Sequence, residues 1–404
     1  MLFRKSNLES WLSLGIDRTL IFVFLLLSFA VFSNKKDSLL NCIKIQKDDT
    51  GKVISYNSII TLYLNNQQLD SARFYANKSI TLSQKINFSK GLTFGYQKLG
   101  IIDYYETNFI KAIENLNQSL VYAKRSNDIS GIIACYSNLG IIYHSQDNFP
   151  KALECGLMAL KIREENKDIK GLAASYNNLG LIYKDQKDYK KALDYYFKAK
   201  RINEDVHDSS RLSNSYNNIG IVYDLLKDYR KSLDFHFKAL AISKNLDNHE
   251  EDVAMSYNNI GMVYLNQDML LEALNFFMNS LKISRVIDDK EVMSDVFINI
   301  STVFNKNKNY STAIKYSDST LLIAKEFELT ENIRLAYENL ASSYAMINDF
   351  EKAYKYEVLF KQVTDSIFNE NNSKLLSDLK TNFEVEKKEI ELNAKSIVEK
   401  QKLE

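Results

Sequence analysis

Proline and glycine are scarce in this chain of 404 residues, which has one proline and 12 glycines. Because both residues interrupt helices, their scarcity favours long unbroken helices. The three cysteines include no CxxC pair, which argues against a disulfide framework and against a typical zinc site. The net charge is only +1, so no basic excess would attract nucleic acid or an anionic membrane surface.

Residues typical of catalytic and metal sites are also few. The only histidines are His144, His207, His236 and His249, and none has an HExxH or paired-ligand spacing. The chain has no P-loop, no GxSxG motif and no dinucleotide-binding glycine motif. We therefore predict a protein that is not an enzyme, with no catalytic residue, no metal site and no cofactor.

The chain is organised by an internal repeat, which is clearest over residues 171–199. A small residue returns every 40 residues, with one extra residue before Gly261, and a second small residue follows 12 positions after each. The first set is Gly100, Gly140, Gly180, Gly220, Gly261, Ser301 and Ala341, with Ile60 as an imperfect first copy. The second set is Ala72, Ala112, Ala152, Ala192, Ser232, Ala273, Ala313 and Ala353. Such a period predicts a solenoid, because no copy can bury its apolar face alone.

Each copy reads as two amphipathic helices, called helix A and helix B here, which a polar turn joins. Helix A has an aromatic residue four before the small residue, leucine or isoleucine one before it, and an aromatic three after it. In the fourth copy these positions are Tyr176, Leu179, Gly180 and Tyr183. They share one face of a helix with 3.6 residues per turn. Glycine costs about 1 kcal/mol of helix propensity against alanine, and we infer that close contact with the second small residue offsets this cost.

This series of residues resembles the tetratricopeptide repeat. The resemblance covers about three quarters of the chain, from about Thr50 to Ser366. The 40-residue period and the missing proline at the end of helix B depart from the common form of ~34 residues. Both features fit the subgroup that includes kinesin light chains and bacterial response-regulator aspartate-phosphatase regulators. The resemblance implies an all-α solenoid, a right-handed superhelix of about eight repeats, whose concave surface is lined by helix A and binds a peptide or protein.

The N-terminal residues suggest a targeting segment. Residues 20–32 are almost wholly apolar and follow Arg4, Lys5 and Arg18. A run of this length is short for a membrane span and suits the core of a signal peptide. We predict a signal peptide or N-terminal anchor over residues 1–33, and an exported, periplasmic or cell-envelope-associated bacterial protein. The alternative is a protein anchored in the membrane by residues 19–33.

Three further segments complete the predicted domain organisation. Residues 34–49 are expected to form a capping helix, and residues 50–366 the solenoid. Residues 367–404 mix lysine and glutamate with apolar residues three or four apart, and predict a long charged amphipathic helix. This helix is either a coiled coil, through which the chain self-associates, or a solvated helix that frays.

A row of asparagines is the best candidate for a binding site. They precede the small residue by two or three positions in helix A: Asn138, Asn177, Asn178, Asn217, Asn218, Asn258, Asn259, Asn299 and Asn339. An amide both donates and accepts, so the row can pair with the backbone of an extended peptide whatever its sequence. The matching positions contact bound peptides in the family that the chain resembles. The alternative is that the amides bond to neighbouring helices and hold the stack together.

Specificity is expected where the copies differ. Four residues after the small residue the chain has Tyr104, His144, Lys184 and Asp224 in successive copies. This mixture of charge and aromatic rings predicts a partner of mixed character, unless these are ordinary surface residues.

We therefore predict an exported scaffold that binds a peptide or protein segment on its concave face and does not bind nucleic acid directly. The layout also resembles the sensor region of bacterial tetratricopeptide-containing histidine kinases and regulators. The alternative function is thus the sensory part of a membrane-bound two-component or transcriptional regulator whose output domain is absent from this chain. A third class, a regulator of a phosphorylated partner, would share the solenoid.

Overall fold

A computed structural model describes residues 36–367 of the chain. This part contains 17 α-helices and no strand, which confirms the predicted all-α class. The described residues fall into two units, residues 36–168 and residues 169–367.

Unit one has seven helices. They are α1 (36–45), α2 (Thr50–Asn65), α3 (Leu69–Lys85), α4 (Ser89–Tyr105), α5 (Phe109–Arg125), α6 (Ile129–Ser145) and α7 (Phe149–Glu165). The helices α2 and α3, α4 and α5, and α6 and α7 pack as A–B pairs. Helix α1 places Leu39, Leu40 and Ile43 in the same apolar cluster as residues of the first pair.

Unit two continues the pattern with ten helices. They are α8 (Ile169–Asp185), α9 (Tyr189–Asp205), α10 (Ser209–Leu225), α11 (Tyr229–Ser243), α12 (Glu250–Asn266), α13 (Leu270–Val286), α14 (Lys290–Lys306), α15 (Tyr310–Glu326), α16 (Thr330–Met346) and α17 (350–367). The even-numbered helices are the A helices, and each packs against the odd-numbered B helix that follows it. Each unit is thus a solenoid-type stack of helix pairs.

Short turns of one geometry separate most of the described helices. Lys187 has a positive φ of 62°, and non-glycine residues with φ between 49° and 62° recur at the equivalent turns from Gln67 to Asn348. The Lys187 N–H donates to the Lys184 carbonyl and the Asp188 N–H donates to the Tyr183 carbonyl, at 2.9 Å each. This is the Schellman arrangement, which satisfies the last carbonyls of a helix. The sequence predicts polar turns there, but not the left-handed residue that closes each one.

The close contact between helices A and B is only partly the predicted one. A Cβ atom built on Gly100 would lie 3.1 Å from the Ala112 carbonyl oxygen, as expected, but nearer still, at 2.8 Å, to Leu116 Cγ. In three copies of unit two, however, the nearest atoms belong to a ring 16 positions after the glycine. These pairs are Gly180 with Tyr196, Gly220 with His236, and Gly261 with Phe277, with Cβ-to-ring distances of 2.6, 2.7 and 2.6 Å. The glycine is needed because the ring occupies the space of a side chain.

Stacked aromatic pairs join the two helices of most copies. The Tyr183 and Tyr195 rings lie 5.4 Å apart with an interplanar angle of 5°, and Tyr223 stacks on Phe235 at 5.6 Å. Such pairs contribute about 0.5–1.5 kcal/mol beyond the area they bury. In the second copy the equivalent positions are Asp103 and Asn115, and the amide donates to the carboxylate at 2.6 Å. The packing of that copy is therefore polar where most other copies stack two rings.

The N-terminal prediction requires correction. The apolar run and residues 1–33 lie outside the described residues, and no helix within residues 36–367 is long and apolar enough to cross a membrane. The predicted exported or envelope-associated location, and the alternative anchor at residues 19–33, are therefore wrong as assignments and are withdrawn. For the anchor the physical reason is that a run of 13 residues, from 20 to 32, is shorter than the ~20 that span a bilayer.

Other predictions about segments are not tested by the structure. The charged helix or coiled coil of residues 367–404 lies, beyond residue 367, outside the described residues, and so does the self-association that would use it. Helix α1 falls within the predicted capping segment of residues 34–49. The boundaries of that segment and of the predicted 50–366 solenoid stay predictions.

The glycine contacts predict opposite effects of one substitution in two copies. At Gly180→Ala the new methyl group would press on the fully buried Tyr196 ring, so we expect a net loss of about 1–2 kcal/mol of unfolding free energy. At Gly140→Ala the Cβ would meet its nearest atoms at 3.5–3.7 Å, which is ordinary contact. That variant should gain up to about 1 kcal/mol from helix propensity.

Urea unfolding followed by circular dichroism compares the two variants with the parent chain. A stabilising Gly180→Ala, or a Gly140→Ala as damaging as Gly180→Ala, would contradict the ring-against-glycine contact.

Candidate functional site

The nine predicted asparagines all lie on A helices, and their surroundings differ. Asn138 belongs to α6 in unit one, and the other eight belong to the A helices of unit two. Eight of the nine are half-buried, and Asn217 alone is buried, with 8% of its surface exposed. We call the eight residues of unit two the amide row: Asn177, Asn178, Asn217, Asn218, Asn258, Asn259, Asn299 and Asn339.

Four members of the amide row pair with one another across neighbouring A helices. The Asn218 Nδ2 of α10 donates to the Asn177 Oδ1 of α8 at 2.7 Å. The Asn299 Nδ2 of α14 donates to the Asn258 Oδ1 of α12 at 3.0 Å. In both pairs the donor stands two residues before the small residue of its own copy. The acceptor stands three residues before the small residue of the preceding copy. These amides therefore link successive copies, as the structural alternative predicts.

Asn217 is turned into the core. Its Nδ2 donates to Ser256 Oγ at 3.1 Å, and its Oδ1 lies 3.0 Å from His236 Nδ1. Because an amide oxygen can only accept, Nδ1 carries the proton of the neutral imidazole. His236 is 1% exposed, and burial lowers its pKa to about 4. Asn217 thus satisfies a buried histidine and does not face solvent.

Asn339 is held by the neighbouring A helix. Its Nδ2 donates to Thr302 Oγ1 at 3.0 Å, and its Oδ1 accepts from Asn305 Nδ2 at 3.2 Å. The residue that could have accepted from it, three before the small residue of α14, is Ile298, which has no amide. The pairing between members of the amide row therefore ends at α14, and Asn339 pairs with Asn305, which is outside the row.

Three of the predicted residues keep their amides free. Within residues 36–367, Asn138, Asn178 and Asn259 have no hydrogen-bond partner. Each is half-buried, so its amide group stays within reach of a ligand. The two interpretations of the asparagines therefore apply to different members: some hold the stack, and others have unused donors and acceptors.

Apolar side chains flank the free amides of unit two. Met255 lies four residues before Asn259 and Met262 three after it, on the same helix face. Met255 is 44% exposed and Met262 is half-buried. Asn178 is flanked in the same way by Ala174 and Leu181, both half-buried. This surface combines amide groups that can bind a backbone with apolar patches that can take side chains.

The four residues predicted to set specificity are all half-buried and packed. The Tyr104 ring lies 6.0 Å from Phe109, and the His144 ring 6.0 Å from Phe149. Lys184 Nζ lies 3.1 Å from an oxygen of Asp185. Their proposed role in selecting a partner stays a prediction.

Asp224, the fourth of these residues, has the most unusual surroundings. Its Oδ2 accepts from Asn266 Nδ2 at 2.9 Å, while its Oδ1 is buried without a partner. Burial raises the pKa of this carboxyl group, and the bond from Asn266 opposes that rise.

Sequence reasoning missed the role of His236 and a charged network in unit one. His236 stands where Tyr196 and Phe277 stand in the neighbouring copies, and the imidazole in place of a phenol or phenyl ring was the available signal. In unit one, Arg73 Nη2 lies 2.7 Å from both Asp103 Oδ1 and Glu106 Oε2. Since both oxygens of the buried Asp103 are satisfied, this network is structural.

The described residues contain no group of three or more histidine, cysteine, aspartate or glutamate side chains that could hold a metal ion. The chemistry that this surface offers is hydrogen bonding by amides and apolar contact.

Comparisons with known proteins agree with the repeat. A family model described as a tetratricopeptide repeat matches residues 92–165 and 171–245, and a second model of the same description matches residues 253–287. No curated protein matches the sequence significantly. The first of these ranges lies in unit one and the other two lie in unit two, and all three cover A–B helix pairs.

Several solved structures share the fold over most of the chain. The apo form of the quorum sensor NprR from B. thuringiensis is 15% identical, with a TM-score of 0.60 over 89% of this chain and 98% of that chain. A Rap protein complexed with Competence and Sporulation Factor is 13% identical, with a TM-score of 0.54 over 84% and 99%. A signal transduction ATPase with a tetratricopeptide repeat sensor from Pyrococcus horikoshii is 15% identical, with a TM-score of 0.56 over 84% and 54%. At these identities the likeness shows the fold alone.

The buried His236 predicts a loss of stability in acid. Its pKa is about 4 in the folded chain and 6.5 without burial, so the unfolded chain takes up the proton first as the pH falls. The stabilisation is complete above pH 6.5 and is lost as the pH falls from 6.5 to 4. The full loss is about 3 kcal/mol of unfolding free energy.

Urea unfolding at several pH values between 4 and 7.5 measures this loss. His236→Phe is the control, because it removes the titrating ring while acidic residues still titrate in both proteins. If the parent chain and His236→Phe show the same pH dependence, the imidazole is not held neutral in the core.

Proposed function

Since this chain is a tetratricopeptide-repeat protein, we propose that it is a binding scaffold whose A helices take up an extended peptide or protein segment. The observation that carries the proposal is the pair of free amides in unit two, at Asn178 and Asn259. Their neighbours in the amide row are already bonded, so these two have donors and acceptors to spare.

The amide groups favour a backbone as the ligand's main contact. An asparagine side chain presents the same donor and acceptor as a peptide group, so it can bond to a peptide N–H and C=O together. Such contacts do not depend on the ligand's side chains, and a flexible segment can satisfy them in an extended conformation. Selectivity must then come from side-chain contacts around the amides.

The flanking residues favour apolar side chains in that ligand. Met255 and Met262 adapt to different shapes because the methionine side chain is unbranched and polarisable. Ala174 and Leu181 provide a smaller apolar surface beside Asn178. The proposed ligand is therefore an extended segment with apolar residues on the side that faces the A helices.

The alternative is that this scaffold is the sensory part of a regulator whose output domain is supplied outside this chain. It is favoured by the similar structures, of which one is called a quorum sensor and another carries a tetratricopeptide repeat sensor. Both proposals use the same site. The sensory role further requires that the bound segment changes the affinity of the chain for a second protein.

The proposal predicts that the free amides matter for binding and the paired ones for stability. A probe peptide is first selected from a random dodecapeptide library displayed on phage and panned on the full chain. Replacing Asn178 and Asn259 together by alanine should raise the Kd of that peptide about tenfold to thirtyfold, at roughly 1 kcal/mol per lost bond. The unfolding midpoint should not change. Fluorescence anisotropy with the labelled peptide measures the Kd.

The matched control replaces Asn218 and Asn299 by alanine. It breaks two inter-helix bonds, so it should lower the unfolding free energy by about 1 kcal/mol per bond while the Kd stays within about threefold. An unchanged Kd in the first variant would remove Asn178 and Asn259 from the site. A library that yields no binding peptide would count against the proposed function itself.

A further inference from the structure

One ring position of unit two differs in chemistry between copies. The ring 16 residues after the small residue packs on glycine in three successive pairs, as Tyr196, His236 and Phe277. Tyr196 and Phe277 are fully buried, and they bring no charged or imidazole nitrogen against the glycine. His236 puts an imidazole in the same place, so among these three copies it alone brings a ring nitrogen that needs a hydrogen-bond partner in the core.

The partner of His236 is drawn from the amide row. Asn217 lies three residues before Gly220, in the position that Asn177 and Asn258 hold in their own helices. Those two are half-buried and accept from the next A helix, whereas Asn217 is buried and bonds to His236 and Ser256. The difference between the copies is therefore the direction in which this one amide points.

The direction of Asn217 decides the state of Asn259. Asn218 donates to Asn177, and Asn299 donates to Asn258, so the equivalent acceptor for Asn259 is Asn217. Because Asn217 is turned into the core, where its oxygen accepts from the imidazole, the pair between Asn217 and Asn259 does not form. Asn259 is left with no hydrogen-bond partner among residues 36–367.

We propose that His236 is a positioning residue of the binding site: by holding Asn217 in the core, it keeps the Asn259 amide free to bind the backbone of the ligand. The inference rests on the proposed function, and it adds the buried residue that selects which amide is available. The ligand backbone then binds between Met255 and Met262, because Asn259 lies between them on the same helix face.

His236→Phe tests this role. The variant should fold, because Phe277 fills the equivalent position against Gly261. With the imidazole gone, the Asn217 oxygen loses its partner in the core and only the bond from its Nδ2 to Ser256 remains. The oxygen can then accept from Asn259, as Asn177 accepts from Asn218. The Kd of the selected peptide should then rise about fivefold to tenfold, the change expected for losing the bonds of one amide. Asn259→Ala should raise it by the same factor.

The double variant His236→Phe with Asn217→Ala separates positioning from packing. It keeps the phenyl ring but removes the competing acceptor, so Asn259 is free again and the Kd should return to within about twofold of the parent value. In parallel, the side-chain amide protons of Asn259 should exchange more slowly in His236→Phe than in the parent or the double variant. NMR of chain labelled at asparagine reads this directly, without a ligand.

The outcomes distinguish the inference from the function. If Asn259→Ala weakens binding but His236→Phe does not, the role of His236 is overturned and the binding site stands. A loss of affinity in His236→Phe that the double variant fails to recover also overturns it, because the effect is then one of packing. If Asn259→Ala and Asn178→Ala both leave the Kd unchanged, the proposed site fails first.

Discussion

The fixed spacing of the helices is the constraint on which the rest of the structure depends. Most helices have 17 residues, and turns that a left-handed residue closes join nearly all of them. Helix A can therefore meet helix B at the same residue in each copy, with a ring laid on a glycine where the copy allows it. Because the spacing does not drift, side chains at equivalent positions stand beside one another on successive A helices.

That alignment gives the asparagines two competing uses. An amide placed beside an equivalent amide satisfies it, which links neighbouring copies but removes both groups from ligand binding. In unit two the pairs Asn177–Asn218 and Asn258–Asn299 link neighbouring copies in this way. A binding surface can exist on this face only where a pair is interrupted, and a polar ring in the core is one way to interrupt it.

Differences between the copies, more than the shared pattern, decide the packing and hydrogen bonding within each copy. In the second copy Asp103 and Asn115 stand where most copies stack two rings. Arg73 of the preceding B helix also donates to Asp103, so both oxygens of this buried carboxylate are bonded. The imidazole of His236, in place of Tyr196 or Phe277 in the neighbouring copies, has a wider effect because it bonds to Asn217 of the amide row. Tetratricopeptide repeats tolerate such exchanges because each copy contacts only its neighbours.

The sequence by itself determined the all-α class, the A and B helices and the placing of every asparagine, because these follow from a period that any reader of the residues can measure. It did not determine which asparagines are free. That depends on side-chain orientation, and Asn217 takes its orientation from His236, 19 residues away in another helix, and from Ser256 in the next pair. In three copies the tertiary structure also places a ring, and not the alanine, nearest to the glycine. The location inferred from the N-terminal run was wrong. Only the composition of that run supported it, and no helix among residues 36–367 could cross a membrane.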